Sequence, residues 1–180
     1  MRYWLRNKVP PFERVLIIES GSRDLLEDLL PGLYKIHGES MELDLITCYS
    51  GVPEALKPTA KVYRVNDYPG RKGQRELLGI LKQRRYNVVG MLCTNQPILL
   101  KWKWYLALQL PAKLFILNEN GDYFWVDVGH WAVIRHFVLF RLGLAGASAV
   151  PALARLLLFP FALLYLVGYA ATVHLRRALR

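Results

Sequence analysis

Three carboxylates, Glu19, Asp24 and Glu119, follow apolar runs closely enough to sit where a strand gives way to a turn. Such a group can take a proton from an attacking hydroxyl, the work of a general base. Polar residues accompany them at equivalent places: Ser20 and Ser22 after the first run, Tyr49 and Ser50 after the second, Thr94, Asn95 and Gln96 after the fourth, and Asn118 after the fifth. In an open parallel sheet the carboxyl ends of the strands form a common rim, where ligands bind. Two readings of the set are open: an acceptor site with a carboxylate base, or ordinary loop polarity. For Asp24 a third is a capping box with Glu27, which would make both acids helix-starting groups.

Two basic motifs stand apart from this rim set. YPGRKGQR, residues 68–75, carries Arg71, Lys72 and Arg75 into a helix start, where cations and free amides could hold a phosphate or a lipid headgroup, the alternative being a solvated loop. KWKWY, residues 101–105, interleaves Lys101 and Lys103 with Trp102 and Trp104. That mixture suits a membrane interface as well as it suits packing. His130, His136 and His174 show no ligand spacing with cysteines or acids, so neither a metal nor a cofactor is expected. His130 and Trp131 are read as a helix start after Asp127.

The elements that must position these residues follow from hydrophobic periodicity. Short apolar runs predict strands at 15–18, 43–48, 62–65, 88–92 and 114–117, alternating with helical patterns at 23–36, 73–84 and 98–110. This alternation predicts an α/β domain with a mainly parallel sheet. Leu25, Leu26, Leu29, Leu30 and Leu33 share one helix face, and Pro31 is expected to kink or shorten that helix. Asn120-Gly121, between LFILNE and DYFWVDV, predicts a tight hairpin into an antiparallel edge strand. A phosphate-binding loop is not expected after the first strand: Gly21 stands alone, without the further glycines of a dinucleotide fingerprint or the Gly-Lys-Ser/Thr of a P-loop.

The chain of 180 residues carries a net charge of +10, unevenly spread. Its last 45 residues hold five arginines and no acid, leaving 19 basic against 14 acidic residues elsewhere. Residues 156–173 contain no charge, enough helix for roughly 27 Å at 1.5 Å per residue and close to a bilayer core. The basicity therefore points to lipid headgroups, and no nucleic acid is expected. A single anchor or shallow re-entrant segment is favoured over a full hairpin with arms 137–154 and 156–173, because Arg141 and Arg155 would lie inside the hairpin. Cys48 and Cys93 form no CxxC and are expected as buried free thiols. Residues 1–13 are basic and aromatic without a signal-peptide core, so the globular part is expected in the cytoplasm. Domain limits follow as 1–13, 14–130 and 131–180.

VLIIESGSRDLLEDLLP resembles the strand and Gly-x-x-Gly-Asp-x-x-Leu-x-x-Pro segment that opens the ADP-heptose lipopolysaccharide heptosyltransferases and related GT-B glycosyltransferases. Gly21 and Pro31 keep that family's ten-residue separation. RRYNVVGMLCTNQPILLKWKWYLALQLPAKLFIL is similar to a later strand, polar turn, helix and strand block, so the likeness covers about residues 14–128. It implies a Rossmann-like, mainly parallel sheet with helices on both faces, followed here by a C-terminal membrane helix or helices. It also implies inverting sugar transfer in envelope glycan or glycolipid synthesis at a bacterial-type inner membrane, with Asp24, Glu19 or Glu119 as base. Asp24 occupies the place of the family's second glycine, and Leu25 that of its catalytic aspartate. The donor-binding lobe has no counterpart, so a second glycosyltransferase subunit is expected to supply it, with membrane lipid and a glycolipid acceptor as further partners. The other class of function is a non-catalytic membrane anchor that recruits such an enzyme. A phosphoacceptor or flavin domain of the same topology is the remote third reading.

Overall fold

The computed structural model describes residues 7–38, 40–94, 96–118, 122–144 and 149–178, with the side chains at 149, 152, 153, 156, 173 and 175–178 outside the described set. Contacts divide the chain into two units, 1–131 and 132–180. The first is α/β. Its strands are β1 (Arg14–Ile18), β2 (Glu42–Thr47), β3 (Val62–Arg64), β4 (Val88–Cys93), β5 (Lys113–Asn118) and β6 (Tyr123–Trp125), in the order β3-β2-β1-β4-β5-β6. All neighbours are parallel except β5 and β6. The order reverses between β1 and β4, which fixes where the carboxyl ends diverge.

Helix α1 (Arg23–His37) buries Leu26, Leu30 and Leu33 against Val15, Ile17, Leu43, Leu45, Val88 and Phe115, all on one face of the sheet. Right-handed connections place α2 (Gly70–Arg84) and α3 (Leu100–Gln109) over the opposite face. Their buried residues are Leu77, Leu78 and Leu81 on α2, and Leu106 and Ala107 on α3. Asp44 points to this second face and ties the end of α2 to the sheet: it accepts hydrogen bonds from Arg84 Nη2 at 3.0 Å, the Tyr86 hydroxyl at 2.6 Å and the Lys61 amide at 2.8 Å. Burial, followed by its own hydrogen bond to Asp44, pushes the Tyr86 hydroxyl well above its ordinary pKa, so it remains a donor.

Pro31 lies inside α1, which runs on to His37, so it does not shorten the helix. The hairpin also departs from expectation. Asn120 and Gly121 lie outside the described residues, but Leu117 pairs with Tyr123 and Ile116 with Phe124, leaving an odd number of residues between paired positions. A two-residue turn needs an even number and is excluded. Asn118 and Asp122 close the strands instead, with the Asn118 amide donating to the Asp122 carbonyl and the Asp122 amide to Asn118 Oδ1, each at 2.9 Å. Of the cysteines, Cys93 is buried and Cys48 only partly so, and neither is in a disulfide.

The second unit contains most of α4 (Trp131–Arg141) and all of α5 (Ala149–Ala178). Helix α4 has no buried residue and ends in a Schellman motif: Gly143 has φ 68°, its amide reaches the Phe140 carbonyl, and the Leu144 amide reaches that of Leu139. This break rules out residues 137–154 as one helical arm of a membrane hairpin. Eleven residues of α4 extend only about 16 Å. Helix α5 is continuous over 30 residues through Pro160 and exposes Leu157, Leu158, Phe159, Phe161, Leu164 and Leu166. Leu156 and Val173, the ends of the uncharged run, have side chains outside the described set. Among the described residues, no helix is long and apolar enough to cross a membrane.

Candidate functional site

The turn after β1 is held from both sides. The Ser20 hydroxyl donates to the Leu92 carbonyl at 2.5 Å, stapling β1 to β4 at the switch point. A Cβ on Gly21 would stand 2.8 Å from Thr94 Cγ2 and 3.2 Å from Leu92 Cβ, so any larger residue would force the Thr94 side chain or the loops to shift. Ser20 is therefore fully buried and structural, a correction to its expected role in acceptor binding. Tyr49 closes the turn from the β2 side, its hydroxyl donating to the Gly21 carbonyl at 3.1 Å.

Glu19 is also fully buried. Its two oxygens receive Arg23 Nε at 3.0 Å and Nη2 at 3.3 Å, while Arg23 Nη1 donates to the Ser50 carbonyl at 3.2 Å. The Arg23 guanidinium lies 5.3 Å from the centre of the Tyr49 ring, and its hydrogen bond with Glu19 raises its pKa further above the ordinary value. Glu19 is thus a counter-ion that locks the loop after β2 onto the first turn of α1. Nearby burial pushes the Cys48 thiol up, which keeps it protonated and a poor nucleophile.

The capping box does not form. Ser22 is the residue at the N-cap and makes no side-chain capping bond. Glu27 thus falls five residues after the cap instead of three, and its carboxylate accepts from the Glu54 amide at 3.4 Å. Asp24 is left exposed on the first turn of α1, beside the junction of β1 and β4. Leu25 is half-buried and lines an apolar groove. Across the junction, Thr94 is half-buried and its Oγ1 accepts from the Gln96 amide at 3.4 Å, leaving the Gln96 side chain exposed. Asn95 and Glu119 lie outside the described residues.

The basic segments resolve differently from their sequence reading. Residues 70–75 are not an open phosphate loop but the beginning of α2, with Pro69 at the N-cap. A Cβ on Gly73 would sit 2.3 Å from the backbone carbon of Tyr68, so the first turn is packed tightly on the chain that enters it. Arg71, Lys72 and Arg75 all face solvent. In KWKWY, Lys103 is buried with Nζ donating to the Leu92 carbonyl at 3.3 Å, a correction to its place at an interface. The reason is angular: residues two apart on a helix point about 200° apart, so Lys101 and Lys103 cannot share a face. Lys101 and Trp104 are exposed, and Trp102 is half-buried with an edge contact to Tyr105.

Two arrangements escaped the sequence reading. A cavity of about 500 Å³ opens between α1, the segment before β1 and the β5–β6 pair; Phe12, Leu25, Leu29, Phe115, Tyr123 and Trp125 line much of it. The alternation of Phe115 and Leu117 with their partners Trp125 and Tyr123 was the available signal. Phe12 stacks on His37 at 3.6 Å, and burial lowers the pKa of that imidazole, so the wall is neutral there. The second is a buried ion pair with an exposed histidine at its edge. Lys113 Nζ meets Asp127 Oδ2 at 2.8 Å, and Asp127 Oδ1 receives the His130 amide at 2.9 Å and faces His130 Nδ1 at 2.7 Å. Asp127 thereby starts the turn that leads to α4, as its place in the sequence suggested for His130 and Trp131.

Among the described residues the rim offers one exposed carboxylate at the switch point, Asp24, and a polar lip, but its helix start faces Asp24 and the Glu19–Arg23 pair, an arrangement poorly suited to a phosphate. Among the described residues no group of three or more His, Cys, Asp or Glu is placed to hold a metal ion. In comparisons with known proteins, no family, no curated protein and no solved structure matches the chain.

Proposed function

We propose that the chain is a lipid-attached, Rossmann-like half-domain of glycosyltransferase type that works in envelope glycan or glycolipid synthesis. In this reading it lies on the cytoplasmic side of a bacterial-type inner membrane and presents the acceptor, while a second subunit brings the nucleotide-sugar site. The observation that carries the reading is the parallel order 3-2-1-4-5, which ends in a rim where Asp24 is exposed beside the switch point. Asp24 takes the proton of the acceptor hydroxyl as its oxygen attacks the anomeric carbon, and the bond from that carbon to the nucleotide diphosphate breaks, the diphosphate leaving into the site the second subunit supplies. Lipid attachment is supported by α4 and α5, which have no buried apolar side chain among the described residues and whose flanks carry arginines.

A second reading, a non-catalytic anchor that recruits the transferase, draws on Leu25 and on the engagement of Glu19 and Ser20 in structure. Sugar-nucleotide turnover by the full chain together with a partner encoded beside it separates the two. Asp24→Asn is expected to lower kcat about 100- to 10,000-fold with KM little changed, the range of a lost general base. Unchanged kcat in Asp24→Asn, with turnover still requiring the chain, would establish the anchor instead.

A further inference from the structure

We infer that the α2–α3 layer of the globular unit is itself a docking face for an anionic bilayer, so that the domain lies against the membrane in addition to being attached through its C-terminal helices. This inference rests on the lipid attachment proposed above and adds to it a second, independent contact.

Two stripes on neighbouring helices carry it. On α3, Leu100, Trp104 and Leu108 recur every four residues and are exposed by 49%, 43% and 50%, an apolar row turned away from the sheet. Lys101 stands exposed beside it. On α2, Arg71, Arg75 and Lys82 follow one another along the outer face with Gly79 between, and Lys72 lies next to them. Both helices belong to crossovers that pass over the same face of the sheet, so the stripes look outward together.

The charge is one-sided. Between residues 68 and 118 there are nine lysines and arginines and a single acid, Glu76. Lys103 and Lys113 are buried and Arg84 is held by Asp44, leaving Arg71, Lys72, Arg75, Lys82, Arg85 and Lys101 exposed. Arg85 shares a recess with Glu13 and Glu42 at the end of α2, so five exposed cations against one carboxylate on the two helices are complementary to an anionic surface. The adjoining leucines and tryptophan choose among such surfaces: aliphatic side chains gain by entering the acyl boundary, whereas they offer no stacking platform to a nucleic acid. Trp104 has an amphipathic ring suited to headgroup depth.

The test uses the full chain in nanodiscs of phosphatidylcholine alone or mixed with phosphatidylglycerol, with bromine-labelled acyl chains to quench tryptophan emission. Trp104→Phe isolates the contribution of one ring among the five tryptophans. Quenching of Trp104 is expected in the mixed discs and not in phosphatidylcholine alone. The triple variant Arg71→Gln, Lys72→Gln, Arg75→Gln should shift the docked-to-undocked ratio on the order of a hundredfold, as expected for three charges near an anionic surface. Circular dichroism of both variants checks that α2 and α3 persist. Incorporation into discs with Trp104 unquenched in both compositions overturns the docking face while leaving the attachment standing. Failure of the chain to enter discs at all overturns the attachment itself. Shielding of Trp104 only on addition of an RNA or an acidic protein assigns the face to that partner and overturns the lipid reading.

Discussion

Replacing Asp127 with Ala is expected to destabilise the globular unit by about 3–5 kcal/mol, a cost set by the charge it leaves behind. Lys113 is fully buried, and its ammonium lies 2.8 Å from the Asp127 carboxylate. Removing the carboxylate takes from that buried cation the counter-ion 2.8 Å away, and it also frees the His130 amide and ring from this acceptor. Removing both charges should be far milder, since apolar side chains of similar volume commonly replace a buried pair at little cost. The urea midpoint of the full chain in mild detergent should therefore fall furthest for Asp127→Ala, and Lys113→Met with Asp127→Leu should recover much of the loss. Equal midpoints for the single and double variants would contradict this.

The same pair sets a pH dependence. Burial by itself would raise the pKa of Asp127, but hydrogen bonds from Lys113 and His130 outweigh it and hold the carboxyl below its ordinary value near 3.8. A carboxyl with a depressed folded pKa contributes stability that is fully present above its unfolded pKa and is lost as pH falls through the folded one. Wild-type stability should thus decline below about pH 4 as Asp127 begins to bind its proton in the unfolded chain. Asp127→Asn should be flatter over the same acid range, and a matching slope in both proteins would show that other carboxylates dominate.

The strands were legible because each is a bounded apolar run. Their edges shifted by only a residue where Arg14, Glu42, Lys113 and Asn118 join the ladder with polar side chains. What periodicity could not reveal was the destination of side chains that reach across elements. Ser20 and Glu19 look like rim chemistry when read locally, but their partners are Leu92, fixed by β4 pairing with β1, and Arg23, fixed by the direction of α1. Lys103 reads as surface because of its charge, and only the α3–β4 packing supplies the carbonyl that makes its burial tolerable. The hairpin register differs by one residue from the Asn-Gly expectation, and in a strand one residue decides which face a side chain takes. The observed register brings Phe115, Leu117, Tyr123 and Trp125 to one side, and so the aromatic groove follows from a detail that turn chemistry alone misassigned.

That groove wall also yields the second large effect. Gly90 lies in register with Ile17 on one side and Phe115 on the other, and a Cβ placed on it would stand 2.3 Å from Phe115 Cζ and 2.7 Å from Ile17 Cδ1. The Phe115 ring thus occupies the space a side chain at position 90 would need, and it meets Trp125 edge-on at 5.8 Å. Gly90→Ala should destabilise by about 1–3 kcal/mol through overpacking, and Phe115→Ala by about 3–5 kcal/mol through lost burial and a cavity. The two changes oppose each other in volume, since the added methyl enters space that the deleted ring vacates. The double variant is therefore expected to be less destabilised than the sum of the singles by roughly 0.5–3 kcal/mol, the range of residues in direct contact. A cycle of urea denaturation measured by circular dichroism tests this. Additivity within about 0.3 kcal/mol would mean that the ring can swing away from β4 without penalty, and Gly90 would then need another explanation.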